Sequence, residues 1–304
     1  MQSRLFGAAD NAEGLAKLRA VDANLFAQMS PLEIDFTKIP AFFYVPVYDG
    51  RVIPKDPLKA LNGGKFNKVR LLCGFNADEG SLFIPEGTDE LKYEMLAVKM
   101  FGYDRAQPIL KRFPVNADNS STQRARQILA YGMFTTDIKV FEDVFARNGL
   151  DVYAYQFDYA SPENAANGMG AMHGSELAYV FKNGSFDSTQ KVLADNMHLR
   201  WANFIKNGDP NVGETPPSDV AWPKYDAENC RVIRFSDTVT AETMPNRADR
   251  EFMQEMLFGD EPYYRVDDGS KTKSDSGGGC NVGTAGIAAL FVLGSVIATS
   301  RKSR

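Results

Sequence analysis

The sequence predicts an α/β fold, in which helices alternate with the strands of a mostly parallel sheet. Residues 121–147 and 188–206 repeat apolar side chains at helical spacing. They alternate with short apolar runs at 69–75 and 151–159, which suit buried strands. Because helix followed by strand is the order of a wound α/β sheet, the chain is expected to form such a sheet or a part of one.

The first predicted helix covers residues 10–28, where leucine and valine recur three or four positions apart. Ser30-Pro31 is expected to end it, since the residue before a proline disfavours the helical conformation. Residues 39–64 contain four prolines and two turn dipeptides. This stretch is therefore predicted to be rich in loops.

The predicted strand at 69–75 delivers Asn76-Ala-Asp-Glu-Gly80 to the rim of the sheet. That rim is where α/β proteins place their chemistry. The helix at 121–147 is expected to end at Asn148-Gly149, because asparagine and glycine commonly cap helices at the C-terminus.

The aromatic run at 151–159 is predicted to be the next strand, followed by a loop at 160–174 that ends in Met172-His173-Gly174. The helix at 188–206 is expected to stop at Asn207-Gly208-Asp209-Pro210. A final strand at 232–235 and a final helix at 247–258 complete the elements, which together make half of an α/β architecture.

Composition excludes several classes of function. The 304 residues are 44% hydrophobic, which excludes disorder along the whole chain. A net charge of −5 gives no basic surface for phosphates, so nucleic acid is not expected as a partner. The three cysteines form no Cys-x-x-Cys pair and have no histidine at ligand spacing, so a structural metal site is not expected.

Several segments, in order and spacing, resemble the cholinesterase and type-B carboxylesterase family of α/β-hydrolases. They are Val45-Pro-Val-Tyr-Asp-Gly50, Leu72-Cys-Gly-Phe-Asn-Ala-Asp-Glu-Gly-Ser81, Val152-Tyr-Ala-Tyr-Gln-Phe157, Met172-His-Gly-Ser-Glu-Leu177, Trp201-Ala-Asn-Phe-Ile-Lys-Asn-Gly-Asp-Pro-Asn211 and Trp222-Pro-Lys-Tyr-Asp226. The resemblance implies that residues 1–265 are the C-terminal half of an α/β-hydrolase domain that uses no cofactor.

The resemblance assigns the acid of a Ser-Glu-His triad to Glu79 and its histidine to His173. The order of acid before histidine is that of the α/β-hydrolases. An imidazole with a pKa near ~6.5 can take the proton of a serine hydroxyl and return it to a leaving alcohol. A buried carboxylate can hold that ring in the required tautomer. From the residues alone, a structural histidine and a solvated glutamate remain open alternatives.

The resemblance also places Phe42, Phe43 and Phe83 near positions that shape the acyl and alcohol pockets, although ordinary core aromatics would give the same pattern. Leu82 stands where cholinesterases often carry an aromatic residue for a quaternary ammonium. A general carboxylic ester is therefore the expected substrate. Cysteines that form a disulfide in the family, near the helices at 134–145 and 247–258, are absent.

The nucleophile of such an enzyme is missing from these residues. The sequence has no Gly-x-Ser-x-Gly elbow and no His-Gly-Gly-Gly segment. Ser175 follows His173 closely but lacks an elbow, and His198 lies beside a helical apolar stripe, where packing explains it better. The chain alone is therefore expected to be inactive and to be part of a longer protein.

The C-terminus changes character after the domain. Residues 266–283 form a polar spacer rich in serine and glycine, and 284–304 hold an apolar run with a basic end. This run is shorter than the about 20 residues of a membrane span. A GPI-attachment signal and a single transmembrane helix both fit. Either implies an extracellular, membrane-attached protein whose signal peptide is not in this sequence.

Three functions follow from these observations. The first is hydrolysis of carboxylic esters through an acyl-enzyme. The second is cell-surface adhesion of the neuroligin kind, which uses this fold without catalysis; retention of Glu79 and His173 disfavours it. The third is an inactive fragment. A homodimer is compatible with the resemblance.

Overall fold

The computed structural model describes residues 11–22, 51–52, 60–61, 63–259 and, for the backbone only, 297–299. The chain divides into two compact units, Met1–Val47 and Tyr48–Arg304. The predicted loop-rich stretch at 39–64, the spacer and most of the apolar tail lie largely outside the described residues.

Helix α1, Ala12–Arg19, is the described element of the first unit. The side chain of Asn11 caps it by accepting the Gly14 N–H at 2.8 Å. The helix predicted over 10–28 is not continuous, because α1 ends at Ala20, whose N–H bonds carbonyls of both Ala16 and Lys17 in a tightened last turn. Residues 23–28 of that prediction lie outside the described residues.

A mixed five-stranded sheet organises the second unit, with strand order β4-β3-β2-β1-β5. Its strands are β1 Arg70–Asn76, β2 Val152–Phe157, β3 Arg231–Phe235, β4 Val239–Thr243 and β5 Ile297–Thr299. The three central strands run parallel, with Asn76 level with Phe157 and Phe157 level with Phe235. Both outer strands are antiparallel to their neighbours. The predicted α/β class is confirmed.

The helices of this unit with both ends in the described residues are α2 Glu90–Phe101, α3 Tyr103–Arg112, α4 Ser121–Ala130, α5 Thr136–Arg147, α6 Pro162–Ala166, α7 Leu177–Phe181, α8 Ser188–Asn207 and α9 Arg247–Phe258. The helix predicted over 121–147 is interrupted by a π-helical turn, Tyr131–Thr135. A turn of this kind widens the helix and re-aims the side chains it carries.

Two strands follow Val232–Phe235, so the prediction that it was the final strand is wrong. Strand β4 turns back on β3 through Ser236, whose N–H donates to the Thr238 carbonyl at 3.1 Å. Strand β5 pairs with β1 and lies within the predicted anchor run. Within the described part of the chain, no helix is both long and apolar enough to cross a membrane.

Packing on both faces of the sheet fixes the positions of its strand ends. Alternate residues of β2 point to opposite faces, with the three aromatic side chains toward α8 and the smaller ones toward α5. The α8 side is an aromatic core that contains Tyr153, Tyr155, Phe157, Trp201, Phe204 and Trp222. On the opposite face, Leu71, Cys73 and Phe75 of β1 pack against α5. The strand ends are therefore held rigidly from both faces.

Candidate active site

Two loops leave the same edge of the sheet and are joined to each other. The first, at the end of β1, carries residues 77–83, and the second follows β2 and includes residues 158–176. The N–H of Asp78 donates to the Ala171 carbonyl at 3.1 Å, and the N–H of Ala171 donates back to Asp78 Oδ2 at 2.9 Å. The hydroxyl of Ser81 lies 2.6 Å from the Met169 carbonyl. These bonds lock the two loops together.

Gly80 is required by the close approach of the first loop to helix α4. A Cβ at this position would lie 2.0 Å from the carbonyl oxygen of Arg126. That oxygen belongs to the helix backbone and cannot swing away as a side chain could. This contact fixes the distance between the loop and α4, and with it the position of the preceding residue, Glu79.

Glu79 and His173 meet where the two loops join. Glu79 is buried, with 4% of its surface exposed, and its Oε1 accepts the backbone N–H of Asn76 at 2.7 Å. Its second oxygen, Oε2, lies 2.5 Å from Nδ1 of His173. One carboxylate oxygen is thus anchored to the end of β1 while the other orients the imidazole.

Two aromatic rings hold the imidazole from the side. The ring of Phe134, in the π-helical turn, lies 4.6 Å from the His173 ring, and that of Phe83 lies 5.5 Å from it. The two phenylalanines stack on each other at 5.6 Å. With Nδ1 engaged by Glu79 and the ring flanked by apolar groups, Nε2 is the nitrogen left for a reacting group.

A second buried carboxyl group lies behind this pair. The amide Nδ2 of Asn76 donates to Glu176 Oε2 at 2.5 Å and to the Met172 carbonyl at 2.8 Å. Asn76 is 1% exposed and Glu176 is 4% exposed. Since Met172 precedes His173, this asparagine ties the end of β1 to the backbone that carries the histidine.

The electrostatics of the cluster favour a charged imidazole. Burial alone lowers the pKa of His173, but its hydrogen bond to Glu79 and the charges of Glu79 and Glu176 outweigh burial and raise that pKa. Burial raises the pKa of Glu176, against the opposing bond from Asn76. Burial also raises the pKa of Asp78. A cation formed on His173 would therefore be stabilised where it stands.

The other residues singled out from the sequence fall in different places. Phe83 contacts His173, whereas Leu82 is 49% exposed. Phe42 and Phe43 lie outside the described residues. Ser175 lies in a turn, where its N–H donates to the Met172 carbonyl at 3.1 Å.

The second histidine is engaged away from this pair. His198 Nδ1 lies 2.9 Å from the carbonyl of Val180. This contact gives it a structural partner at the end of α7.

Sequence reasoning missed Phe134, Asn76 and Glu176. Phe134 was interpreted only as part of a helical stripe, because nothing in a 3.6-residue period shows a π-helical turn. Asn76 and Glu176 lie inside the two quoted motifs, three residues from Glu79 and from His173 respectively. That matched spacing was a usable signal.

The chain matches the model of the carboxylesterase family over residues 4–253. It is 28% identical over 239 residues to an acetylcholinesterase of Bungarus fasciatus, covering 70% of this chain and 39% of the relative. It is 26% identical over 245 residues to a fumonisin B1 esterase of Sphingopyxis macrogoltabida, covering 74% of this chain and 43% of the relative.

Among solved structures, a PNB esterase is similar with a TM-score of 0.65 at 24% identity, covering 82% of this chain and 52% of that one. This likeness supports the fold, which is that of an α/β-hydrolase. The chain spans about two fifths of the length of the two curated relatives it matches. The match to the family model covers most of the sequence, and the chain therefore belongs to the carboxylesterase family.

Proposed function

We propose that Glu79 and His173 are the acid and the base of a Ser-Glu-His triad that hydrolyses carboxylic esters through an acyl-enzyme. The observation that supports this most directly is the 2.5 Å contact between Glu79 Oε2 and His173 Nδ1, made by a carboxylate that is itself buried and anchored. Membership of the carboxylesterase family supports the same reaction class.

In this proposal the nucleophilic serine comes from a segment of the enzyme outside these 304 residues. His173 Nε2 takes the proton of the serine hydroxyl as its oxygen attacks the ester carbonyl carbon. The imidazolium then gives that proton to the leaving alcohol, and the acyl-enzyme remains. Water, deprotonated by the same nitrogen, hydrolyses the acyl-enzyme and restores the serine.

Glu79 acts on His173 and does not touch the ester. It keeps the Nδ1 proton in place, which leaves the lone pair of Nε2 toward the nucleophile. It also stabilises the positive charge that forms on the ring in the transition state. The buried anchor on the Asn76 N–H keeps the carboxylate from turning toward solvent.

For the substrate we propose a general carboxylic ester. Phe83 and Phe134 give the imidazole an apolar wall, whereas Leu82 offers no aromatic face for a quaternary ammonium. Of the side chains that the resemblance suggested for selecting the acyl and alcohol groups, Leu82 and Phe83 follow Glu79 on the first loop.

The test is active-site labelling and turnover in the full-length protein. His173→Ala is expected to lower kcat about 10⁶-fold and to abolish labelling of the serine by a fluorophosphonate probe. His198→Ala is the matched control, because it removes the other histidine and should leave both turnover and labelling unchanged. Equal turnover in wild type and His173→Ala would refute the assignment.

A full-length protein that takes no label at all would instead support adhesion without catalysis. The intact Glu79–His173 contact favours the esterase, since a purely adhesive protein has no need to keep a buried carboxylate on an imidazole. A binding assay on cells would then replace the turnover assay.

We also propose that the protein is extracellular and attached to the membrane through residues 284–304, an arrangement that excludes the pairing of Ile297–Thr299 with β1. The support is the apolar run with a basic end that follows the polar spacer. Release of the protein from cells by a phosphatidylinositol-specific phospholipase would establish a GPI anchor. Resistance to the lipase with extraction by detergent would establish a transmembrane helix, and a freely soluble protein would overturn the proposal.

A further inference from the structure

The loop between α7 and α8 presents an Asn-x-Ser triplet to solvent. Asn183, Gly184 and Ser185 are all exposed. The backbone N–H of Asn183 is used, since it donates to the Ala178 carbonyl at 3.2 Å and closes the end of α7. The Asn183 side chain makes no hydrogen bond to the part of the chain that the structure describes. This triplet is the acceptor pattern for N-linked glycans.

An exposed aromatic ring stands two residues before this asparagine. Phe181 is 66% exposed at the end of α7. Lys182, between the two, adopts the left-handed conformation at φ 50°, so the chain turns sharply here. Two residues span at most about 7 Å, so the ring lies within reach of a sugar attached to Asn183.

The sequence contains one other triplet of this kind, Asn119-Ser120-Ser121, in a different setting. There the Ser120 hydroxyl caps α4 by accepting the Gln123 N–H at 3.2 Å, and Ser121 is already helical. Asn119 is less exposed, and its amide lies 3.4 Å from Asn116 Oδ1. No exposed aromatic residue precedes it by two positions.

We propose that Asn183 carries an N-linked glycan whose first sugar packs against the ring of Phe181. The glycan comes from a lipid-linked oligosaccharide diphosphate. A bond forms between Asn183 Nδ2 and the anomeric carbon of the first N-acetylglucosamine, the bond from that carbon to the diphosphate oxygen breaks, and Nδ2 loses one proton. The lipid diphosphate is the leaving group.

The packing follows from the chemistry of the two surfaces. The C–H bonds on one face of a pyranose ring carry partial positive charge, and the face of an aromatic ring carries partial negative charge. Covering Phe181 in this way also removes its apolar surface from water. The modification rests on the proposed extracellular location and is independent of ester hydrolysis.

The acceptor is tested by translating the full chain behind a cleavable signal sequence in the presence of microsomes. Cleavage of the signal reports entry into the lumen, whatever the natural location of the protein. We expect a mobility shift that a peptide-N-glycosidase reverses and that decreases by one glycan in Asn183→Gln and in Ser185→Ala. Ser185→Thr, which keeps the hydroxyl, and Asn119→Gln should both retain the glycan on Asn183.

A cleaved signal with the same mobility in Asn183→Gln as in wild type overturns the proposal. Failure of the extracellular location would leave the microsome result unchanged, so the two proposals fail separately.

The contact with Phe181 is tested on the full-length glycoprotein by thermal unfolding before and after enzymatic removal of the glycan. Removal is expected to lower Tm more in wild type than in Phe181→Ala. Leu177→Ala, which removes another exposed apolar side chain of α7, should behave as wild type does. An equal decrease in wild type and Phe181→Ala would exclude packing of the sugar on this ring.

Discussion

Asn76 contacts Glu79 through its backbone and Glu176 through its side chain, so one residue at the end of β1 supports carboxyl groups from both loops. The N–H donates to Glu79 at 2.7 Å, and Nδ2 donates to Glu176 at 2.5 Å. Nδ2 also bonds the Met172 carbonyl, one residue before the histidine. The position of His173 relative to Glu79 therefore depends on a side chain that touches neither imidazole nor substrate.

In the proposed mechanism, replacing Asn76 by alanine is expected to lower kcat of the full-length protein by about 10²-fold, because a displacement near 1 Å in an active site costs that much. KM should change little, since Asn76 lies behind the histidine. The backbone bond to Glu79 survives the substitution, so labelling of the serine should persist at a reduced rate.

The control for Asn76 is Asn116→Ala, which alters an exposed turn. The measurement is steady-state kinetics, which compares kcat of the two variants. If Asn76→Ala matched Asn116→Ala in kcat, the positioning role would be excluded.

Gly80→Ala should destabilise the protein and impair turnover together. The new Cβ would meet the Arg126 carbonyl at 2.0 Å, so either the loop or α4 must move, and Glu79 moves with the loop. A forced rearrangement of this kind costs about 1–3 kcal/mol. Thermal unfolding and kcat measured on the same preparation test both effects.

Gly87→Ala separates the steric clash from simple backbone strain. Gly87 has φ 77° and no neighbour within 4 Å of an added Cβ. Its substitution should cost about 1–2 kcal/mol while leaving kcat unchanged. Wild-type kinetics in Gly80→Ala would contradict the close approach of Gly80 to the Arg126 carbonyl.

The pH dependence of the reaction should reflect the raised pKa of His173. In the proposed mechanism the reaction needs the neutral imidazole, so kcat/KM is expected to increase with pH through a midpoint above the ordinary value of ~6.5. Glu79→Gln removes the charge that raises this pKa, so its midpoint should lie lower although its rate is reduced. A midpoint unaffected by Glu79→Gln would show that the contact does not control the histidine.

The same pair links stability to pH with a definite sign. Because the folded-state pKa is raised, the stabilisation from the pair is fully present below the unfolded value of ~6.5. It is lost as pH increases through the higher folded-state pKa. Wild type and Glu79→Gln should therefore differ most in Tm on the acid side of this window.

The contribution of Asp137 to stability should become less favourable as pH increases. A carboxylate whose pKa is lowered by folding would have the opposite effect. It is 7% exposed, and burial raises its pKa to about 8. The folded state then retains a proton that the unfolded state releases, so the free energy of unfolding decreases between about pH 4 and pH 8, by about 1.4 kcal/mol per pH unit.

Asp137→Asn cannot ionise and should lack this slope. Thermal unfolding of wild type and variant across that pH range measures the difference, with Asp104→Asn, an exposed carboxyl in α3, as the control. Parallel pH profiles for wild type and Asp137→Asn would contradict the prediction.

Strands β1 and β2 and helix α8 were predictable to within about two residues because their apolar periods are long and uninterrupted. The sequence signal for strand β4 was weak. Buried and exposed side chains alternate only partly along Val239–Thr243, and the strand follows a short Ser-Asp-Thr turn. Helices α2 and α3 were missed, and α3 even contains Pro108, which argues against a helix in isolation. Tertiary packing, and not local propensity, determines the conformation of β4, α2 and α3.

The candidate site divides in the same way. Glu79 and His173 could be proposed from motifs, because a motif preserves residue type and spacing. Their proximity in space could not be predicted, because it depends on the Asp78–Ala171 bonds that join two loops about ninety residues apart in sequence. Phe134 depends on a π-helical turn, and a burial pattern at 3.6-residue spacing cannot reveal it.

The bonds between the two loops also determine when the acid and the imidazole become aligned. These bonds join protein atoms of Asp78, Ser81, Met169 and Ala171. The alignment is therefore complete once the chain has folded, and substrate binding need not supply the entropy of ordering it. Because the same bonds order the loops and align the pair, substitutions that break them should lower thermal resistance and catalytic rate together.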